Sequence, residues 1–338
     1  MPQNRAWTLA SYPSGWVTEA NFKLVESPAP APKEGEVLVK NLWLSLDPYM
    51  RGRMSQQKSY VKGVEVGDVM TGETAGEVLE SKHPGFKAGD LVQGYDGWQT
   101  HGVSKGVCVR KLDPGQAPIS TALGVLGMPG MTAYVGLLDI GQPKPGETVV
   151  VSAASGAVGA VVGQIARIKG CRVVGIAGGK DKCAYVEKEL GFDACVDYKQ
   201  GDLTAALQAA CPKGIDVYFE NVGGDVLAAV LKVINPFARI PLCGLVSQYN
   251  ATEMPGGPNW GVLLVNRVLV KGFIVSDHLD RMPAFLKDVG QWLRDGAIKY
   301  REDIVDGLEN APTAFIGLLQ GKNFGKLIVK VGEDSTRR

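Results

Sequence analysis

ETVVVSAASGAVGAVVGQIARIKGCRVVGIAGG, residues 147–179, is the stretch whose reading decides the fold. It opens with a β-branched run at 148–151, breaks at Ser155-Gly156, resumes as an apolar-periodic segment through Ile168, and closes on a second run at 172–176. That order predicts strand, glycine turn, helix, strand. In such a unit the first turn is tight and free of Cβ atoms, so amide groups at the helix start approach a pyrophosphate that the helix dipole also favours. The turn itself, Ala153-Ala154-Ser155-Gly156-Ala157-Val158-Gly159, reads as A-x-x-G-x-x-G, with Ala and Ser where two glycines are common. Gly156 is left for close approach and Gly159 for helix–strand packing. A tight turn in a non-binding α/β domain is the plain alternative; the strand before it and the helix after it favour a dinucleotide.

Which dinucleotide should show at the tip of the second strand, where a carboxylate would hydrogen-bond a ribose 2′-hydroxyl. The strand instead runs into Gly178-Gly179-Lys180-Asp181-Lys182. No acid stands at the tip, two glycines leave space and two lysines follow, which predicts NADPH over NADH. A lysine binds phosphate as a point charge, so Lys182 is the candidate partner of the 2′-phosphate. The bland reading makes both lysines solvated residues opening a helix.

The composition narrows the classes. With 338 residues the chain is long enough for two domains. Its 36 Lys and Arg against 35 Asp and Glu argue against nucleic acid or an anionic membrane as the main partner. No apolar run is long enough to span a membrane, and MPQNRAWTLA is not a basic-then-apolar leader, so a cytoplasmic protein is expected. Its 6 cysteines form no C-x-x-C pair and its 3 histidines no H-E-x-x-H, so no metal site is expected.

From about Arg5 to Leu123, Gly- and Pro-bearing turns recur between short apolar stretches, as in a small β domain of barrel type. Strand-like pieces are expected at 36–46, within 64–79 and after residue 85. From Met128 strands and helices alternate. Helices are expected at 182–190, 203–210, 225–233 and 283–294, and strands at 194–196, 215–219, 238–242 and 268–275. The succession predicts a Rossmann-type doubly wound parallel sheet, with its ligand crevice at the carboxyl ends of the strands. The tail from Lys299 reads as strand-like, notably 326–331, and should pair back with the first domain. Residues 1–125 and 300–338 are thus assigned to a substrate domain and 126–299 to the dinucleotide domain. Residues 255–260, PGGPNW, read as a flexible loop.

These pieces together resemble the medium-chain dehydrogenase/reductase superfamily and, within it, the zinc-free prostaglandin reductase and curcumin reductase group, whose first domain is GroES-like. The resemblance spans essentially the whole chain. It is carried by Leu46-Asp47-Pro48-Tyr49-Met50-Arg51, Gly97-Trp98-Gln99-Thr100-His101, Gly127-Met128-Pro129-Gly130, the Gly156 turn, Asp197-Tyr198-Lys199, Asn221-Val222-Gly223-Gly224 and Ser247-Gln248-Tyr249-Asn250. Zinc-bearing relatives have an early cysteine ligand where this chain has Asp47-Pro48-Tyr49. The resemblance implies NADPH-dependent reduction of the carbon–carbon double bond of α,β-unsaturated ketones or aldehydes, without a metal. It implies a cofactor held by Gly156, Ala157, Val158, Gly159, Lys182, Tyr198, Asn221, Cys243, Gly244, Tyr249, Phe273, Val275 and Asn323, with Lys182 and Tyr198 at the 2′-phosphate. Gly179 and Lys180 stand where some relatives have a serine and an acid. Asn221, before two glycines, also suits an ordinary turn.

Hydride delivery to the β-carbon moves negative charge to the carbonyl oxygen, so donors aimed at that oxygen carry most of the catalysis. Tyr249 is the expected positioner and polariser, and water the proton source. Tyr49 and Arg51 are expected on the substrate side, Arg51 serving equally well as an ion-pair partner inside its own domain. Quinone reduction is the rival chemistry, and NADPH binding without turnover the rival class. An apolar edge at 268–275 predicts a homodimer.

Overall fold

The computed structural model describes residues 2–253 and 255–337. In chain order its strands are β1 (Gln3–Leu9), β2 (Phe22–Pro28), β3 (Glu36–Ser45), β4 (Thr74–Ser81), β5 (Leu91–Gly94), β6 (His101–Lys105), β7 (Arg110–Lys111), β8 (Thr148–Ser152), β9 (Arg172–Ala177), β10 (Ala194–Asp197), β11 (Ile215–Phe219), β12 (Ile234–Leu242), β13 (Leu269–Gly272), β14 (Glu302–Asp306) and β15 (Lys326–Lys330). The α-helices are α1 (Met50–Arg53), α2 (Met128–Val135), α3 (Gly159–Ile168), α4 (Lys180–Lys188), α5 (Leu203–Ala210), α6 (Gly224–Leu231), α7 (Trp260–Val265), α8 (Met282–Arg294) and α9 (Ala311–Leu319). The chain divides into two compact units. The first takes residues up to Gly124, Glu302–Asn323 and everything from Leu327; the second takes Val125–Arg301 and Phe324–Lys326.

The first unit is mostly β. Its larger sheet runs β14-β15-β3-β4-β5-β7, with β6 also paired to β3, and β1 and β2 form a separate antiparallel pair. Trp98 lies at its centre, stacked on Phe22 at 5.4 Å and met edge-on by Phe315 at 5.5 Å. Phe315 belongs to α9, which corrects the strand-like reading of the tail. Ala311, Ala314, Phe315, Leu318 and Leu319 recur at helical spacing, and a proline in the first turn suits a helix start. The rest of the tail follows the expectation: β14 and β15 are strands of the larger sheet, and β15 pairs antiparallel with β3.

The second unit is a six-stranded parallel sheet in the order β10-β9-β8-β11-β12-β13. β8, TVVVS, is buried at every position, as a central strand covered on both faces requires. Helix α3 lies so close to the connection between α4 and β10 that a Cβ on Gly163 would fall 1.9 Å from the Phe192 ring. Helix α5 starts at Asp202, whose carboxylate accepts from the amides of Thr204 and Ala205. The order in which successive strands are laid down reverses between β8 and β11, and that switch point is where a doubly wound sheet opens its crevice. The expected strand at 268–275 is shorter: β13 stops at Gly272, and Val275 already begins a 3-10 segment. The expected loop at 255–260 leads directly into α7, capped by Asn259.

Candidate active site

The glycine turn is built differently from the expectation. The tight left-handed position is Ala153, at φ 53°, and the Gly156 amide donates back to the Ala153 carbonyl at 2.9 Å. Gly159 is where a side chain is forbidden, since a Cβ there would meet the Ala153 oxygen at 2.4 Å; at Gly156 the same contact would be 3.1 Å. Helix α3 therefore begins at Gly159, one turn later than Gly156, with Ala157 and Val158 in the approach. Gly156 also bridges in parallel to Gly325, so the segment Phe324–Lys326 runs alongside the turn. The cradle suits a pyrophosphate: backbone lies bare at the carboxyl end of β8, before the amino end of a ten-residue helix.

At the neighbouring tip, β9 ends at Ala177 and Gly178 follows. A Cβ on Gly178 would come within 2.8 Å of the Tyr198 ring and hydroxyl. Tyr198 hangs from the Ala177 carbonyl through its amide at 3.1 Å and is 47% exposed, so its phenol fringes the tip. The Asp197 carboxylate is engaged through Oδ1 with the amides of Gly179 and Lys199, at 2.8 and 3.1 Å. Lys180, Asp181 and Lys182 form the first turn of α4, with Lys180 and Asp181 exposed and Lys182 half-buried. The tip is free of acid in the sequence but not in space: Asp197, from the end of β10, reaches it, with its Oδ1 occupied by the two amides, and Asp181 stands exposed between the two lysines.

The third group lies across the switch point. The Asn221 side chain donates to the Ser152 carbonyl at 2.8 Å, and its amide to the Ser152 hydroxyl at 2.9 Å, which ties the loop after β11 to the end of β8. The loop after β12 hangs on the same segment. Cys243 and Gly244 amides donate to the Glu220 carbonyl, and Val246 and Ser247 amides to the carbonyls of Asn221 and Val222. Tyr249 closes the short 3-10 turn Val246–Gln248, and its hydroxyl lies 3.0 Å from where a Gly244 Cβ would stand. Burial, reinforced by the nearby Glu220, pushes the Cys243 thiol up to about 12. Phe273 packs edge-on against Phe219 at 6.3 Å, and Val275 borders the same core. In the second unit Gly156 to Gly159, Lys182, Tyr198, Asn221, Cys243, Gly244, Tyr249, Phe273 and Val275 thus all follow the carboxyl ends of the parallel strands.

Tyr49, Arg51 and Asn323 belong to the first unit. The Tyr49 hydroxyl lies 2.7 Å from that of Tyr95, a partner that sequence reasoning missed because 46 residues separate them. Burial raises the pKa of both phenols, well above the usual value for Tyr49, so both stay protonated. Arg51 is 8% exposed and donates to the Gly15 carbonyl at 2.8 Å, the work of an internal anchor. Sequence reasoning also passed over Ser152, Tyr218 and Glu220; the signal was an acid directly after a buried strand. Among the described residues no group of three or more His, Cys, Asp or Glu is placed to hold a metal ion.

A doubly wound sheet with a glycine turn at its switch point is the architecture of a dinucleotide-binding protein. Comparison with known proteins agrees. The model described as N-terminal domain of oxidoreductase matches residues 5–112, and that described as zinc-binding dehydrogenase matches residues 157–290. The chain is 54% identical to the NADPH-dependent curcumin reductase of Escherichia coli K12, over 98% of each chain. It is 45% identical to prostaglandin reductase 1 of Rattus norvegicus, over 98% of this chain and 100% of that one. The crystal structure of CurA from Vibrio vulnificus in complex with NADPH, 52% identical, superposes with a TM-score of 0.94 over 98% of this chain and 100% of that one. The chain belongs to the medium-chain dehydrogenase/reductase superfamily, in the group of the curcumin and prostaglandin reductases.

Proposed function

We propose that the chain is an NADPH-dependent reductase of the carbon–carbon double bond of α,β-unsaturated ketones and aldehydes. The observation that carries the cofactor choice is the tip of β9, where Gly178 and Gly179 stand in place of an acid with Lys182 and Tyr198 beside them. The substrate class is supported by the curcumin and prostaglandin reductases that match over nearly the full chain. Bound NADPH supplies the hydride that reaches the β-carbon. Gly156 to Gly159 would hold the pyrophosphate and Lys182 and Tyr198 the 2′-phosphate, with Asn221, Cys243, Gly244, Phe273, Val275 and Asn323 as further cofactor-binding residues. Tyr249 donates its phenolic hydrogen toward the developing negative charge, a role for a group that donates without ionising at neutral pH. Water supplies the α-carbon proton, and no metal takes part. Tyr49 is the proposed substrate-binding residue of the first unit, and Arg51 anchors the carbonyl of Gly15 within that unit. The test is NADPH oxidation with a panel of enones, enals and quinones. Turnover confined to quinones, or none with any acceptor, would overturn the reading.

We also infer a homodimer built on β13. All four residues of this edge strand are exposed, and Trp260, Leu264 and Val265 on α7 are 72%, 79% and 68% exposed. An unpaired apolar edge invites its two-fold mate. A monomeric mass in solution would refute this. The cytoplasm is the proposed location, supported by six free cysteines, which a reducing compartment would keep as thiols. No described helix is long and apolar enough to cross a membrane. Recovery from an oxidising compartment would contradict the assignment.

A further inference from the structure

Glu220 follows β11 immediately and is fully buried. Its Oε1 lies within hydrogen-bonding distance of four donors: the amides of Val222 at 2.6 Å and Gly223 at 3.0 Å, the Tyr218 hydroxyl at 2.9 Å and the Ser152 hydroxyl at 3.1 Å. Its backbone carbonyl accepts from Cys243 and Gly244, and its amide donates to the Pro241 carbonyl. Ser152 in turn accepts the Asn221 amide. Oε2 has no partner among the described residues. A buried carboxyl oxygen without a partner is costly, so the acid is tolerated for what Oε1 does, and two of its four donors are amides of a loop that has no strand to pair with.

We infer that Glu220 is a positioning residue, the point from which the loops bearing Asn221 and Tyr249 are hung in register with the glycine turn at the switch point of the sheet. The inference rests on the proposed reductase function. It accounts for a division of labour in the crevice. The 2′-phosphate end is carried by β9, β10 and α4, none of which bonds to Glu220, whereas the catalytic end is carried by three chain segments that meet at this one residue. Losing the carboxyl frees the Val222 and Gly223 amides and the Ser152 hydroxyl, and so loosens the Asn221 and Val222 carbonyls that hold Val246 and Ser247, which should disturb the catalytic end and leave the phosphate end in place.

The probe for the phosphate end is 2′,5′-ADP, which carries the adenosine half of NADPH alone. In Glu220→Ala, enone turnover at saturating NADPH should fall at least about tenfold, the effect of misplacing a donor by a fraction of an ångström, while the Kd for 2′,5′-ADP stays within about twofold. Glu220→Gln keeps a carbonyl for the Val222 and Gly223 amides and should recover turnover to within about threefold of wild type. Should the alanine variant fail to fold, Ser152→Ala carries the same test, because it cuts the hydroxyl joining the carboxyl to Asn221 and should lower turnover without touching 2′,5′-ADP binding. Undiminished turnover, a parallel loss of 2′,5′-ADP affinity, or a Gln variant as impaired as Ala would each overturn the inference. A wild-type protein that binds neither NADPH nor 2′,5′-ADP would instead remove the function on which it rests.

Discussion

Replacing Lys182 by alanine should separate the two nicotinamide cofactors. Lys182 sits in the first turn of α4, beside a strand tip kept open by Gly178 and Gly179. A unit charge 4 Å from another is worth about 1 kcal/mol in water and about 4 kcal/mol at the effective dielectric of a protein surface. A half-buried ammonium lies between these limits, and charge-assisted hydrogen bonds contribute about 1.5–3 kcal/mol by mutation. The Kd for NADPH should therefore rise roughly 10- to 150-fold in Lys182→Ala. NADH has no 2′-phosphate, and its Kd should move by less than about twofold. The measurement is fluorescence titration of wild type and variant with each nucleotide, at low and high salt, because a point-charge contact weakens with ionic strength. Equal loss for both nucleotides would mean that the change damages the helix start rather than a phosphate contact. No loss for NADPH would refute the assignment of Lys182, and with it the argument from a tip free of acid in the sequence.

Further outcomes follow from the same geometry. Tyr249→Phe should lower enone turnover with NADPH affinity nearly unchanged, as read by steady-state kinetics alongside nucleotide titration; unaltered turnover would remove the phenol from the mechanism. Gly163→Ala, with its Cβ driven to 1.9 Å from the Phe192 ring, should lower stability by about 1–3 kcal/mol in denaturant unfolding, and an unchanged midpoint would contradict the packing of α3 against Phe192. Cys243, pushed up to about 12, is thiolate to roughly one part in ten thousand at pH 8, against about a quarter for a free thiol. Peptide mass spectrometry after iodoacetamide should find it unlabelled while exposed Cys108 reacts, and equal labelling would refute its protection. Burial raises the Glu220 carboxyl above its ordinary value, only partly offset by the Val222 and Gly223 amides, with Tyr218 and Cys243 the titratable groups facing it. The folded state thus holds this proton more tightly than the unfolded chain, so the stabilisation is complete below about pH 4 and lost as pH rises through the raised value. Melting between pH 4 and pH 8 should move in favour of Glu220→Gln, and a constant difference in Tm would refute the shift.

Much of the parallel sheet was legible because its strands are short β-branched runs and its connections carry glycine at the turns. The readings at 203–210 and 215–219 match α5 and β11 end to end. The failures have local causes. Helix α9 is apolar on most of its surface and only nine residues long, so its period competes poorly with a strand reading. Helix α7 follows a Pro- and Gly-rich stretch whose turn signals mask the Asn259 cap. The π-helical turn Gly136–Gly141 has no pattern of its own to betray it.

At the candidate site the same contrast between local and distant signals recurs in sharper form. The glycine turn and the lysines are contiguous in the chain, and a short window reveals them. The conformation of Ala153 is not revealed, because alanine is not a residue type that announces a left-handed turn. Glu220 is hidden for a different reason. Its bond to Ser152 spans 68 residues and exists only because β8 and β11 lie side by side where the strand order reverses. In a doubly wound sheet the strands flanking the switch point are far apart in sequence by construction, so whatever braces the crevice must be assembled from distant residues. A sequence pattern therefore finds the groups that touch the adenosine half, which one β-α-β unit carries, more readily than those that hold the catalytic half, which two units must share. The asymmetry predicts where further unrecognised positioning residues lie: at the carboxyl ends of β8, β11 and β12, facing one another across the switch.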